Sequence, residues 1–206
     1  MSDTSSTKRS RPGGRSARVV AAVHAATFEL LEEDGFENLQ LSAVADRAKV
    51  NRTTVYRRWP SRVDLVAELL TTFTELHVPD PQTGSLERDL VVLLSEIADA
   101  LRSRAIRSVL RSGTEAAEND PQIRRAQDAF WERRFRLSGV IVERAIASGE
   151  LPDGSDSRAL LELAAGPIYV RALFTADPID DDYIARLVDR VLRAFEIRSA
   201  EPVAEK

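Results

Sequence analysis

The chain has 206 residues, 43% of them hydrophobic and 30% charged, with a formal net charge of −4; this excludes a disordered polypeptide and allows one compact unit or two small ones. It has no cysteine, which excludes disulfide and thiolate chemistry. The N-terminus lacks an apolar leader, and the most apolar stretch, Ala159 to Phe174, is broken by Glu162, Gly166, Pro167 and Arg171, so a soluble, cytoplasmic protein with no membrane partner is expected.

Charge is unevenly distributed. Residues 1–62 hold eleven Lys or Arg against seven Asp or Glu, a net of +4, which leaves −8 on the remainder. A basic end on an acidic body suits an oriented nucleic-acid binder, because the body repels phosphates while the end attracts them.

Residues 1–16 are rich in Ser, Thr, Gly, Pro and Arg and read as a flexible basic tail. Arg11, Arg15 and Arg18 stand where an arm could reach a minor groove, with a merely solvated tail as the alternative. From Ala17 to Asp34, Val20, Val23, Thr27, Leu30 and Leu31 follow helical spacing, and Gly35 supplies a C-terminal stop. His24 lies beside that stripe and reads as a structural or surface residue.

Leu39 to Arg62 reads as two short helices joined by a tight turn. Leu41, Val44, Ala45 and Ala48 form the inward face of the first, which Gln40 precedes between Leu39 and Val44 at staple spacing. Asn51 is a strong N-cap, with Val50 and Val55 at the two staple positions, so the second helix begins at Arg52. Val55 and Trp59 are one turn apart and face inward, while Arg52, Thr53, Tyr56 and Arg57 lie on the other side. The short connection forces a sharp crossing, which would let the second helix enter a major groove roughly 12 Å wide. Pro60 ends that helix, and Ser61 with Asp64 starts another in a capping box, its donors and dipole offering a phosphate seat beside Arg62. The expected base-edge contacts are Arg52, Thr53 and Arg57; the expected phosphate contacts are Gln40, Thr54, Tyr56, Arg58 and Arg62.

The helix after Ser61 continues from Leu65 to Leu76, and a turn-rich link runs from Val78 to Gly84. Leu86, Leu90, Leu93, Leu94, Ile97 and Leu101 trace a further amphipathic helix, and Ala105 to Glu118 a shorter one. A helix from Pro121 to Ser148 follows, capped by Asn119-Asp120 and closed by Gly149 and Pro152. The last two helices span Ser157 to Ala176, with a kink or restart expected at Pro167, and Asp180 to Arg198. No alternating strand pattern occurs, so the chain reads as all-α, with about nine helices. Residues 17–64 form the reading unit, 65–198 a helical regulatory and dimerisation unit, and 199–206 a disordered end.

The final helix pair is richer in apolar residues than a monomer surface needs. A twofold mate burying Leu161, Ile168, Leu173, Ile184, Leu187, Val188, Val191, Leu192 and Phe195 in a four-helix interface would set two reading heads roughly 34 Å, or a multiple of it, apart. An ordinary monomer core is the alternative.

The motif residues resemble the TetR (tetracycline-repressor) family of transcriptional regulators. The resemblance rests on Val50, Asn51, Thr54, Val55, Tyr56, Trp59, Ser61 and Arg62, preceded by Gly35, Phe36, Leu41, Val44, Ala45 and Ala48. It departs from the family pattern at Lys49, where a turn glycine is common, at Gln40, where Thr or Ser is usual, and at Trp59, where Phe is usual. The Gly166 to Pro178 stretch looks like the C-terminal domain of one branch of the family. The resemblance implies a homodimeric repressor on a palindromic double-stranded operator, with no cofactor or metal. It also implies a pocket for a small hydrophobic or amphipathic inducer. Phe73, Leu94, Ile97, Leu101, Phe130, Trp131, Phe135, Tyr169 and Phe174 are candidate walls, and Arg134, Arg171 or His77 candidate polar contacts. Two other classes stay open: a helical interaction adaptor that binds no DNA, and a helical enzyme, for which His24 and His77 are the available imidazoles.

Overall fold

The computed structural model describes residues 14–77 and 80–196, and the described residues are helical with no strand. The helices are α1 (Gly14–Asp34), α2 (Leu41–Arg47), α3 (Arg52–Arg58), α4 (Arg62–His77), α5 (Leu86–Ala100), α6 (Arg104–Ala116), α7 (Pro121–Ser148), α8 (Ser157–Val170) and α9 (Asp181–Glu196). A π-helical turn, Arg171–Thr175, extends α8. No helix among the described residues is long and apolar enough to cross a membrane.

Two apolar cores share a boundary. Val23, Leu31, Val44, Val55, Trp59 and Leu65 belong to the first; Leu90, Leu94, Val142, Leu160, Ile168 and Val191 belong to the second. Phe28 and Leu70 pack against both. The first core does not stop at residue 64, where the reading unit was expected to end. It runs on through Val66 and Leu69 of α4 and takes in Ala105 and Val109 of α6, because α4 is one continuous helix serving both cores.

The end of α1 is held by α6. Arg104 donates to the carbonyls of Glu32 and Glu33 at 2.9 and 2.8 Å, satisfying last-turn acceptors, and Ser103 donates to the Glu32 carboxylate. The Phe36 amide donates to Ser108 Oγ at 3.0 Å. Gly35 sits at φ +77°, and a Cβ there would come within 2.9 Å of that oxygen. Both the dihedral and the close approach favour glycine.

Three expectations are corrected here, and one falls outside the described residues. Helix α1 starts at Gly14, inside the expected tail, where Gly14, Arg15 and Ser16 carry no apolar signal; residues 1–13 lie outside the described residues. Likewise α9 is described to Glu196, so Ile197, Arg198 and the expected disordered end at 199–206 lie outside them. Helix α8 does not restart at Pro167 but continues through it to Val170. The irregularity comes later, where Ala176 N–H donates to the Arg171 carbonyl at 2.8 Å across five residues.

The fourth concerns the expected interface. Leu161, Ile168, Ile184, Leu187, Val188 and Val191 are buried in the protomer's own core, with Leu173, Leu192 and Phe195 packed against its edge. Helices α8 and α9 pack on each other and on α5, and α8 also packs on α7, so the apolar stripe is largely consumed inside one chain. The apolar side chains left exposed include Leu163, Val170 and Phe174, the last 78% exposed.

Candidate nucleic-acid interface

Local chemistry fixes the α2–α3 turn. Asn51 caps α3 through its side chain, which accepts from the Thr53 amide at 2.8 Å. At the end of α2, Lys49 adopts φ +55°. Its N–H donates to the Asp46 carbonyl at 3.2 Å and that of Val50 to the Ala45 carbonyl at 2.9 Å, the paired bonds of a Schellman stop. Lysine thus occupies a left-handed position that glycine fills without strain.

Val55 and Trp59 are buried at 0% and 1% exposure, while Asn51, Arg52, Thr53, Tyr56, Arg57 and Arg58 are exposed and Thr54 is half-buried. The sequence-predicted division of the helix into an inward and an outward face is therefore the one observed. Gln40 is exposed and its side chain makes no cap bond to α2.

The outward cations differ in their bonding. Arg52 Nε donates to Asp46 Oδ1 at 3.0 Å, and a second guanidinium nitrogen donates to Oδ2. That hydrogen bonding holds the Asp46 carboxyl below its ordinary range. Arg58 donates to Glu68 Oε1 at 3.1 Å and lies 5.1 Å over the Trp59 ring. Arg57 has no ion pair or hydrogen bond among the described residues. Arg62 turns inward: it donates to the carbonyls of Phe36 and Glu37 at 3.3 and 2.6 Å and sits 4.8 Å from the Phe36 ring. In this DNA-free arrangement its guanidinium braces the turn after α1.

The start of α4 is a reciprocal capping box. Ser61 N and Oγ donate to Asp64 Oδ2 at 3.0 and 2.7 Å, and the Asp64 amide donates to Ser61 Oγ at 3.2 Å. The carboxylate thus engages the Ser61 amide at this terminus. From the second unit, Gln122 Nε2 at the start of α7 donates to Asp64 Oδ1 at 3.0 Å and Ser61 Oγ at 3.3 Å. Sequence reasoning missed Asp46, Glu68 and Gln122.

Among the candidate pocket walls, Ile97, Trp131, Phe135 and Tyr169 border a cleft between α5, α7 and α8. Phe73, Leu101 and Phe130 border the adjoining space, and Arg134 borders both. Leu94 is instead fully buried core, and Phe174 points to solvent, on the same helical stripe as the exposed Leu163 and Val170. Arg171 lies 3.5 Å from the Tyr183 ring and donates to the Pro178 carbonyl, away from the cleft. The His77 side chain lies outside the described residues.

A capped, outward-facing polar and basic helix on an all-helical scaffold defines the class: a helix-turn-helix DNA-binding regulator. Comparison with known proteins agrees. Residues 24–69 match the family "Bacterial regulatory proteins, tetR family", and residues 80–191 match "Tetracyclin repressor-like, C-terminal domain". The chain is 31% identical over 196 residues to the uncharacterized HTH-type transcriptional regulator YdeS of Bacillus subtilis, covering 94% of this chain and 96% of that one. It is 29% identical to the DNA-binding transcriptional repressor TetR of Mycobacteroides abscessus, over 84% of this chain and 90% of that one. The crystal structure of the TetR family transcription regulator SCO0332 superposes with a TM-score of 0.72 at 28% identity, covering 85% of this chain and 97% of that one. The chain belongs to the TetR family of transcriptional regulators and is a DNA-binding protein.

Proposed function

We propose that this regulator is a homodimeric repressor that holds a palindromic operator and releases it when a small hydrophobic or amphipathic molecule enters the second unit. The observation that carries the reading is the α3 surface, on which Arg52, Thr53, Tyr56 and Arg57 are exposed while Val55 and Trp59 anchor the helix from behind. Arg52, Thr53 and Arg57 read base edges, an Arg–guanine pair giving about 1–3 kcal/mol of discrimination. Gln40, Thr54, Tyr56 and Arg58 contact phosphates and fix the register.

One seven-residue helix reads too few bases to select a site, and a dimer raises the effective concentration of the second head. The exposed Leu163, Val170 and Phe174 on α8 and its π turn supply the apolar surface for that mate. Release by ligand requires a preference of about 5 kcal/mol between bound and free geometries. Such a protein works in the cytoplasm, beside the DNA it controls.

The test is footprinting of genomic fragments by the purified protein and by a Tyr56→Ala, Arg57→Ala double variant, with the mass of each in solution measured alongside. Wild type should protect a palindromic site, and the double variant should lose protection while remaining dimeric. A monomeric wild type, or a footprint unchanged in the variant, overturns the reading.

A further inference from the structure

Two adjoining spaces lie among helices α4 to α8. The larger, about 350 Å³, is lined by Leu93, Ile97, Trp131, Arg134, Phe135 and Tyr169 among others. The smaller, about 40 Å³, shares Ile97, Arg134 and Tyr169 with it and reaches Leu70 and Phe73 of α4. Arg134 therefore stands where the two meet.

Its charge is uncompensated. Arg134 is half-buried and has no ion pair or hydrogen bond among the described residues. The other charged residue lining these spaces, Glu162, has its carboxylate 2.8 Å from Arg158 Nε, and Arg158 is further fixed 4.4 Å over the Phe135 ring. The walls around the cation are aromatic: Trp131 and Tyr169 meet edge to face at 5.3 Å, and Trp131 and Phe135 lie 6.3 Å apart.

A planar guanidinium without a counter-ion, partly withdrawn from water, selects a carboxylate through two parallel hydrogen bonds. Tilted and edge-on rings select a flat aromatic body. We propose that this cleft binds an aromatic carboxylate, with its acid group on Arg134 and its ring against Trp131, Phe135 and Tyr169. The inference rests on the ligand-responsive reading above and names the chemical class of its ligand.

The experiment is calorimetric titration of the full-length protein with 2-naphthoic acid, with its neutral amide and with decanoic acid, repeated on Arg134→Gln. Charge-assisted hydrogen bonds predict that the acid binds at least about tenfold tighter than the amide. In Arg134→Gln the acid should fall to the level of the amide, with the amide itself unchanged. Equal binding of acid and amide to wild type, a preference that survives in Arg134→Gln, tighter binding of decanoate than of naphthoate, or no saturable binding of the acid would each overturn the proposal. The acid–amide comparison on wild type needs no variant, so a misfolded Arg134→Gln cannot shield it. Footprinting in the presence of naphthoate separates the two readings: Arg134-dependent binding with an unchanged footprint upholds the ligand class and overturns ligand-driven release.

Discussion

Glu68 of α4 accepts a 3.0 Å hydrogen bond from the indole Nε1 of Trp59, the residue that ends α3. Its other oxygen lies 3.1 Å from Arg58 and 3.5 Å from His24 Nε2 of α1. One carboxylate thus fastens the end of the reading helix to α4 and lies beside α1. Replacing it with alanine leaves a largely buried indole N–H without an acceptor, which costs about 1–3 kcal/mol. Chemical denaturation of Glu68→Ala should report a loss of that size, and Glu68→Gln, which keeps an acceptor, a smaller one. An alanine variant as stable as wild type would mean that Glu68 ties nothing together.

The same cluster makes stability depend on pH. Burial, the main cause, lowers the pKa of His24 below its ordinary 6.5; the Glu68 charge opposes this and the Arg58 charge adds to it. The folded chain therefore holds His24 neutral, while the unfolded chain takes up a proton once pH falls below 6.5. His24 contributes its full share of stability above that value and loses it as pH falls through 6.5 toward the lower folded pKa. Unfolding free energies measured at several pH values should decline on acidification in this window, and less steeply for His24→Gln. Parallel curves for the two proteins would refute the assignment. Glu33 and Asp46, lowered by their bonds to Arg47 and Arg52, act in a separate window below their ordinary values of 4.5 and 3.8.

Arg52 and Arg57 project from the same surface but start from different states. Arg52 is held on both oxygens of Asp46, whereas Arg57 is unpartnered among the described residues. Asp46 orients Arg52 and, on the contacts proposed above, places a negative charge beside the DNA. Asp46→Ala should raise affinity for random duplex, by removing that repulsion, and reduce discrimination at the base that Arg52 reads. Arg57→Ala should relax preference at its own base by about 1–3 kcal/mol. Competition binding against operators altered one position at a time measures both. An Asp46→Ala protein with unchanged preference at every position would remove Asp46 from recognition.

How much of this could be read in the residues alone depends on the range of the interaction. The Asn51 cap, the inward Val55 and Trp59, the Gly35 stop and the Ser61–Asp64 box are local, and spacing reveals them. Arg62 bracing Phe36, Glu68 receiving Trp59, and Gln122 reaching Asp64 join residues far apart in the chain or depend on side-chain direction. Periodicity carries no trace of either. The α8–α9 stripe was legible only in part for another reason: an apolar face announces that it will be covered, not by what. Here Leu161, Ile184 and Val188 are covered by the chain itself.

Lys49 separates stability from binding at a single position. At φ +55° a lysine side chain is strained by about 1 kcal/mol or more, whereas glycine tolerates this conformation at some entropic cost to the folded state. The Schellman bonds from Lys49 and Val50 to Asp46 and Ala45 involve backbone only, so Lys49→Gly keeps the turn and should raise unfolding free energy by up to about 1 kcal/mol. The same change removes an exposed cation from the α2–α3 turn. If Lys49 faces phosphate, operator binding should weaken and the slope of log affinity against log salt should flatten by about one unit. Thermal melting and salt-dependent binding on one preparation should therefore move in opposite directions. A variant that melts earlier would show that lysine contributes more to this turn than its dihedral costs.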